Sequence, residues 1–270
     1  MNLILGAGFL SRHIVELSRE DEVISVRRSQ QNFNKRKNEI MLYADVLKNE
    51  FASEFQSRIE NLDGFVFFLI PPSSFSDKSV ELALSPLFKA LNKAAVKRVV
   101  VASSTGVYSE LVGQTVTNFS EIESSSNRVK RLLEIEEVWL SSPFDVVVAR
   151  LGGLYSINRV IGKNSLEEGK NLPGTGEEYL NLIHVCDAAR VLLRLTQSRF
   201  KEERYVVTDR LPVRRRVYFD YLANKVGAPS PRFSGSRRGN YLCDSTATWH
   251  SLGIEPEFID YQSGLEGLNW

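Results

Sequence analysis

The first eleven residues constrain this chain more than any others. Leu3-Ile4-Leu5 reads as a short apolar strand, Gly6-Ala7-Gly8-Phe9-Leu10-Ser11 follows at once, and helical spacing runs from Leu10 to Ser18. A strand that passes through Gly-x-Gly-x-x-Ser straight into a helix has a physical purpose. The first glycine permits a tight turn, the second removes a side chain where a pyrophosphate approaches the backbone, and the helix N-terminus offers N–H groups and partial positive charge. Ser11 stands where Gly or Ala is usual and is small enough to let helix and strand pack closely. A glycine turn without a ligand is the plain alternative. The context favours dinucleotide binding, with Gly6, Gly8, Phe9 and Leu10 as candidate contacts.

The rest of the chain repeats this alternation. Strand patterns at Asn2 to Leu5, Glu22 to Val26, Gly64 to Ile70, Arg98 to Ala102 and Asp145 to Ala149 are rich in β-branched and aromatic residues. Helical spacing fills Leu10 to Ser18, Lys78 to Ala94, Asn127 to Leu140 and Val185 to Thr196. Alternation at this spacing predicts an α/β fold with a doubly wound parallel sheet. After about residue 150 the pattern loosens. Glycines and prolines cluster between Gly162 and Gly176, and short strands such as Tyr205 to Thr208 alternate with irregular segments. The expected division is a cofactor domain over 1–155, to which 180–210 returns, and a small C-terminal substrate-binding region over most of 156–270. Ligands of open α/β folds sit at the carboxyl ends of the strands, and the turns between Gly152 and Gly176 suit a mobile lid there.

Composition removes several functions. With 43% hydrophobic and 25% charged residues, disorder is excluded as the general state. Lys and Arg number 34 against 33 Asp and Glu, so the net charge of +1 argues against a nucleic-acid or anionic-membrane binder. The basic clusters Lys35-Arg36-Lys37 and Arg214-Arg215-Arg216 are therefore expected to be solvated surface. Cys186 and Cys243 are the only cysteines and form no CxxC pair, which fits a reducing compartment and a cytoplasmic protein. Met1 to Gly8 lacks the basic start of an export signal, and the longest apolar run, Phe65 to Ile70, is far too short to span a bilayer. No membrane association is expected.

The end of the second strand carries the next signal. About 20 residues beyond the glycines, an NAD-binding chain usually has an acid for the ribose 2′-hydroxyl. Here Ile24-Ser25-Val26 leads into Arg27 and Arg28. A guanidinium grips a 2′-phosphate in bidentate fashion, so NADP is preferred and NAD is the alternative. Asp45, after Tyr43-Ala44, is a candidate for the adenine amino group, against a surface turn.

These blocks resemble the extended and atypical short-chain dehydrogenase/reductase superfamily, in its NAD(P)-dependent epimerase/dehydratase-like branch. The resemblance rests on the glycine loop, Val99 to Tyr108 (Val-Val-Val-Ala-Ser-Ser-Thr-Gly-Val-Tyr), Ala149 to Tyr155, and Asn181 to Ala189 in the correct order. It continues through Tyr205-Val206-Val207-Thr208-Asp209 and Leu252-Gly253-Ile254. It implies a Rossmann-type cofactor domain and a small substrate region. It also implies an active site of a Ser or Thr, a Tyr that moves a proton to or from the substrate oxygen, and a Lys four residues on that lowers the Tyr pKa and holds the ribose. Ser104 matches the Ser/Thr position. Lys130 matches the lysine, but the tyrosine position holds Ser126, whose short reach and high pKa cannot inherit that task. Tyr108, four residues beyond Ser104, is the candidate substitute acid, against a packing role.

Each of these residues has a plainer reading. Ser104 can satisfy backbone groups in its turn, and Lys130 can be solvated beside Arg128 and Arg131. Arg150, ending a buried strand, must be paired or bind a ligand. His184 and Asp187 read as helix-start residues. A Ser104-His184-Asp187 triad lacks the Gly-x-Ser-x-Gly elbow, and three solitary histidines give no metal cluster. Two functions result. The first is an oxidoreductase or sugar-nucleotide-type epimerase acting on a polar small molecule, such as a nucleotide sugar. The second is a non-catalytic NADP(H)-binding redox sensor. The resemblance implies homodimers through the helices after the fourth and fifth strands, whereas Glu134, Glu136 and Glu137, expected on exposed positions, favour a monomer.

Overall fold

A computed structural model describes residues 1–18, 21–30, 36–48, 58–75, 79–197, 199–200, 202–236 and 239–266. Lys35 of the first basic cluster and Lys78, the expected start of the second helix, lie outside the described residues. In chain order the elements are β1 (Asn2–Leu5), α1 (Phe9–Leu17), β2 (Val23–Arg27), β3 (Glu39–Tyr43), β4 (Asp63–Phe68), α2 (Val80–Leu91), β5 (Ala95–Ser104), β6 (Thr115–Val116) and α3 (Asn127–Leu140). They continue with β7 (Val146–Leu151), β8 (Gly153–Tyr155), α4 (Lys163–Glu167), β9 (Tyr179–Leu180), β10 (Leu182–His184) and α5 (Val185–Leu195). Last come β11 (Arg204–Val207), β12 (Val213–Arg214), α6 (Arg215–Val226), β13 (Leu242–Cys243), α7 (Thr246–Leu252) and α8 (Tyr261–Gly264).

Seven strands form the main sheet in the order β11-β7-β5-β4-β1-β2-β3. The pairs β3–β2, β2–β1, β1–β4 and β4–β5 are all parallel. The chain starts in the middle, winds outward to β3, then returns to β4 on the other side of β1. That reversal is the switch point at which open α/β sheets bind ligands, and the glycine loop leaves β1 there. The fold is the expected Rossmann-type doubly wound sheet. β4 ends at Phe68, two residues before the apolar run does, and Pro71 and Pro72 stand close beyond it. The strand pattern missed β3, whose apolar run, Ile40 to Tyr43, is only four residues long and mostly half-buried.

The chain divides into two compact units. One comprises Met1–Ser103, Lys130–Ala149 and Ala189–Arg204; the other comprises Ser104–Val129, Arg150–Ala188 and Tyr205–Trp270. The first has a core of β-branched strand residues and α2 leucines, with Trp139 packed among Phe68, Phe88 and Phe144. The second is built on Tyr155, Leu172, Leu182, Tyr218, Phe219, Leu222 and Tyr261. Among the described residues no helix is long and apolar enough to cross a membrane.

Candidate functional site

In the first unit the glycine loop is fixed from both sides. The N–H groups of Gly6 and Ala7 both donate to the Val26 carbonyl, at 3.0 and 2.9 Å. Gly6 has φ +96°, and a Cβ there would stand 3.0 Å from the Leu69 carbonyl, so turn geometry and close packing both demand glycine. Gly8 differs. Its φ of −158° lies outside the left-handed region, and a Cβ would meet only the Gly6 oxygen, at 3.9 Å. Protein packing does not explain this glycine. It caps α1 without a side-chain acceptor, and the first turn carries no acid, so the positive end of the helix is not neutralised there. Ser11 is fully buried, as close packing requires. Its hydroxyl accepts from Gly8 N–H at 2.8 Å and donates to Gly8 O at 2.9 Å.

The other proposed cofactor residues stand at the carboxyl ends of the neighbouring strands. Arg27 follows the Val26 carbonyl that holds the loop and is half-buried; Arg28 is exposed. The Arg27 carbonyl accepts from Ala44 N–H at 2.9 Å, which brings the start of the Asp45 turn alongside. One Asp45 oxygen accepts from Leu47 N–H at 3.2 Å and closes that turn. Glycine loop, arginine pair and aspartate therefore lie on three adjacent strands. Such an arrangement can hold a dinucleotide: the open space at Gly8 admits a pyrophosphate, and the guanidinium groups lie one strand away.

Lys130 is exposed on α3. On the same helix Glu134 takes the Val80 N–H at 2.9 Å and pairs with Arg131 at 2.9 Å. Glu136 corrects the expectation of an exposed position. It is fully buried, accepts the Ser103 hydroxyl at 2.5 Å and lies 3.5 Å from Arg204. The argument for a monomer from its exposure fails.

In the second unit Ser104 opens a short 3-10 turn over Thr105–Tyr108, and its Oγ accepts from Gly106 N–H at 3.0 Å. A hydroxyl that accepts this bond still has a proton to donate. Tyr108 is fully buried. Its hydroxyl donates to the Thr117 carbonyl at 3.1 Å and accepts from Arg150 at 2.8 Å, which pairs that strand-end arginine. Ser126 immediately precedes α3, and its N–H donates to Glu110 at 3.2 Å. Sequence reasoning missed Glu110, an exposed residue with no motif. Hydrogen bonds from Ser125 N–H, then from the Ser124 hydroxyl and Ser126 N–H, hold its carboxyl below the usual range.

The segment expected as a lid is tied down. Leu172 N–H donates to Arg232 O, Ser234 N–H to Leu172 O and Gly235 N–H to Gly174 O, at 2.8 to 2.9 Å. Glu178 accepts from Thr175 N–H, the Thr175 hydroxyl and Gly176 N–H. The basic triplet after it is not simple solvated surface. Arg214 bonds the Glu177 carbonyl and stacks on Tyr179, Arg215 is buried beside Glu178, and Arg216 reaches Thr175 O and lies over Phe233. His184 acts as a cap, its Nδ1 accepting from Cys186 N–H at 3.4 Å. Asp187 does more than favour the helix start: it accepts Glu257 and Phe258 N–H, both at 2.9 Å. Among the described residues no group of three or more His, Cys, Asp or Glu could hold a metal.

The sequence profile of the NAD dependent epimerase/dehydratase family matches residues 2–208. A search of the curated proteins finds no match. Among solved structures, a protein from Methylobacillus flagellatus assigned to the NAD-dependent epimerase/dehydratases is 25% identical, with a TM-score of 0.81 over 99% of this chain and 96% of that one. A double mutant of DesIV, a dTDP-glucose 4,6-dehydratase from Streptomyces venezuelae with NAD bound, is 20% identical, with a TM-score of 0.82 over 99% and 95%. UDP-N-acetylglucosamine 4-epimerase from Methanobrevibacter ruminantium, in complex with UDP-N-acetylmuramic acid, is 16% identical, with a TM-score of 0.78 over 99% and 96%. The last two likenesses speak to the fold alone. Because the profile covers most of its length, in the order of the glycine loop and the later blocks, the chain belongs to the NAD dependent epimerase/dehydratase family.

Proposed function

We propose that this protein binds NADP in preference to NAD and acts as an oxidoreductase or sugar-nucleotide-type epimerase on a polar small molecule, for which a nucleotide sugar is the leading class. The observation that carries the reading is Gly8, a glycine that packing does not require, at a start of α1 with no side-chain acceptor on its N-cap and no acid in its first turn. Gly6, Gly8, Phe9 and Leu10 would cradle the pyrophosphate, Arg27 and Arg28 the 2′-phosphate, Asp45 the adenine amino group and Lys130 the ribose. The cofactor domain would be 1–155 with 180–210, and most of 156–270 would serve the substrate. A cytoplasmic protein, as monomer or homodimer, fits the two free cysteines.

When bound, the nicotinamide supplies or accepts a hydride. The chain's own part is to steady the substrate oxygen and manage its proton. Ser104 donates its hydroxyl proton toward that oxygen while its Oγ is held by Gly106 N–H. Ser126 cannot replace the family tyrosine, and Ser104, a serine too, would steady the substrate oxygen by hydrogen bonding and not as its acid. Tyr108, proposed from sequence as the substitute acid, is better suited to holding Arg150, since its hydroxyl is already engaged on both sides.

Calorimetry with NADPH and NADH tests the binding step. Arg27→Ala with Arg28→Ala should weaken NADPH by at least about tenfold to a hundredfold, the worth of a single charge-assisted contact, and leave NADH nearly unchanged. Gly8→Val should abolish binding of both while the fold survives. A wild-type protein that binds neither overturns the proposal. A second reading, a cofactor-binding sensor without turnover, is favoured by Ser126 and by the engaged Tyr108 hydroxyl. It is supported by tight NADPH binding without oxidation across carbonyl substrates, and rejected by turnover that Ser104→Ala lowers.

A further inference from the structure

Glu136 is a fully buried carboxylate midway along α3. Leu132, Ile135 and Trp139 already pack the inner face of that helix. A carboxylate withdrawn from water there is unfavourable unless matched, and an apolar residue would fill the space at lower cost. Ser103 and Arg204 help to match it. The Ser103 hydroxyl donates to Oε1 at 2.5 Å, a length typical of charge-assisted O–H···O bonds, and Arg204 Nε lies 3.5 Å from Oε2. Arg204 also meets Glu137 and Glu203, so its charge is divided among three carboxylates. What Glu136 gains that leucine could not is a directional hold on Ser103, the penultimate residue of β5. The same helix carries Lys130, roughly 9 Å earlier along its axis at 1.5 Å per residue.

We infer that Glu136 is a positioning residue for cofactor binding: through Ser103 it fixes the end of β5 against α3 and so sets Lys130 toward the ribose. The inference rests on the proposed role of Lys130. It predicts that the bond matters more to affinity than its share of stability would suggest. Arg98 provides the control. It lies near the opposite end of β5, buried and bonded to Asp145 and to the carbonyls of Leu195, Gln197 and Phe200, away from the glycine loop.

Calorimetry on the full chain, with NADPH and NADH as probes, compares Ser103→Ala, Ser103→Thr, Glu136→Gln and the Ser103→Ala/Glu136→Gln double variant. The melting temperature of each is recorded. Each of the two disrupting single variants should weaken NADPH by about tenfold, and the double variant by no more than the worse of them. Ser103→Thr, which keeps the hydroxyl, should stay within about twofold of wild type. In a Lys130→Met background Ser103→Ala should cost nothing further. As a readout independent of binding, the rate at which trinitrobenzenesulfonate modifies Lys130, mapped by mass spectrometry, should change in Ser103→Ala without cofactor present. Arg98→Lys should lower the melting temperature and leave affinity unchanged. The inference is overturned by a Ser103→Ala protein with wild-type affinity, or by an Arg98→Lys protein that loses as much affinity for the same loss of melting temperature. A wild-type protein that binds neither cofactor overturns the cofactor reading itself, and the inference with it.

Discussion

Arg98 shows how one buried polar side chain can be worth as much to this molecule as a core leucine. The residue is 3% exposed, and its guanidinium forms a two-pronged bond to Asp145 at 2.8 and 3.0 Å and donates to three carbonyls that follow α5 or end it. Helix ends leave carbonyls without intrahelical partners, and burying them unpaired is costly. Arg98 supplies those donors with a planar fork that lysine cannot imitate. Arg98→Leu would strand the buried carbonyls while Asp145, half exposed, returns to water. The expected loss is about 3 kcal/mol in urea denaturation, and Arg98→Lys should recover only part of it. The sequence did not disclose this. Arg98 reads as the start of a strand, and its partners lie some 50 to 100 positions away. Gly6 and Gly8, by contrast, could be singled out from the local strand–glycine–helix pattern, although Val26 and Leu69, which fix Gly6, lie 20 and 63 positions away. Glu136 and the triplet Arg214 to Arg216 were misread for the opposite reason. A charge on a helix looks solvated until the element that covers it is known, and Ser103 and Glu178 are distant in the chain.

Among the elements, β11 poses the hardest problem, because it ends the sheet order and presents an outer edge. An unpaired edge invites pairing with another chain. The chain meets this with side chains. Asn118 accepts the Val206 N–H at 2.6 Å, and the Thr208 carbonyl receives Trp249 Nε1 at 2.9 Å and the Ser245 hydroxyl at 3.1 Å. Thr248 on α7 also donates to Asn118, so the loop and the helix act together. This gives the C-terminal stretch beyond residue 208, outside the family profile, a structural duty. Trp249→Phe keeps most of the ring and removes the donor. It should cost about 1 to 2 kcal/mol, and with Asn118→Ala the losses should be less than additive while light scattering reveals self-association on mild heating. The expected strands and helices of the first half, β3 excepted, were legible because each has a strong local period. The edge cover was not, since Asn118, Ser245 and Trp249 occupy irregular segments whose partners are set by tertiary structure.

At the scale of the whole molecule, pH sets buried acids of opposite sign against each other. Burial works to raise Glu178, but the bonds from Thr175 and Gly176 outweigh it, and its folded pKa lies below 4.5. Stability from Glu178 is therefore present above pH 4.5 and lost as pH falls through the folded value. Asp209 is the reverse. Burial raises it well above 3.8, helped by Asp260 and Asp187, against one bond from Leu211 N–H. The folded chain then binds a proton that the unfolded chain gives up, so its contribution is complete below pH 3.8 and drains away as pH rises toward the folded value. The drain amounts to about 1.4 kcal/mol for each unit by which folding raises the acid. Asn has the shape of the protonated acid and no proton to lose. Asp209→Asn should accordingly be more stable than wild type at neutral pH, with the advantage shrinking steadily toward pH 3.8. Urea midpoints measured across that range decide the sign. An advantage that stays constant with pH would mean that Asp209 is ionised in the fold, and that Tyr155, which faces it, contends with a charge and not with a neutral acid.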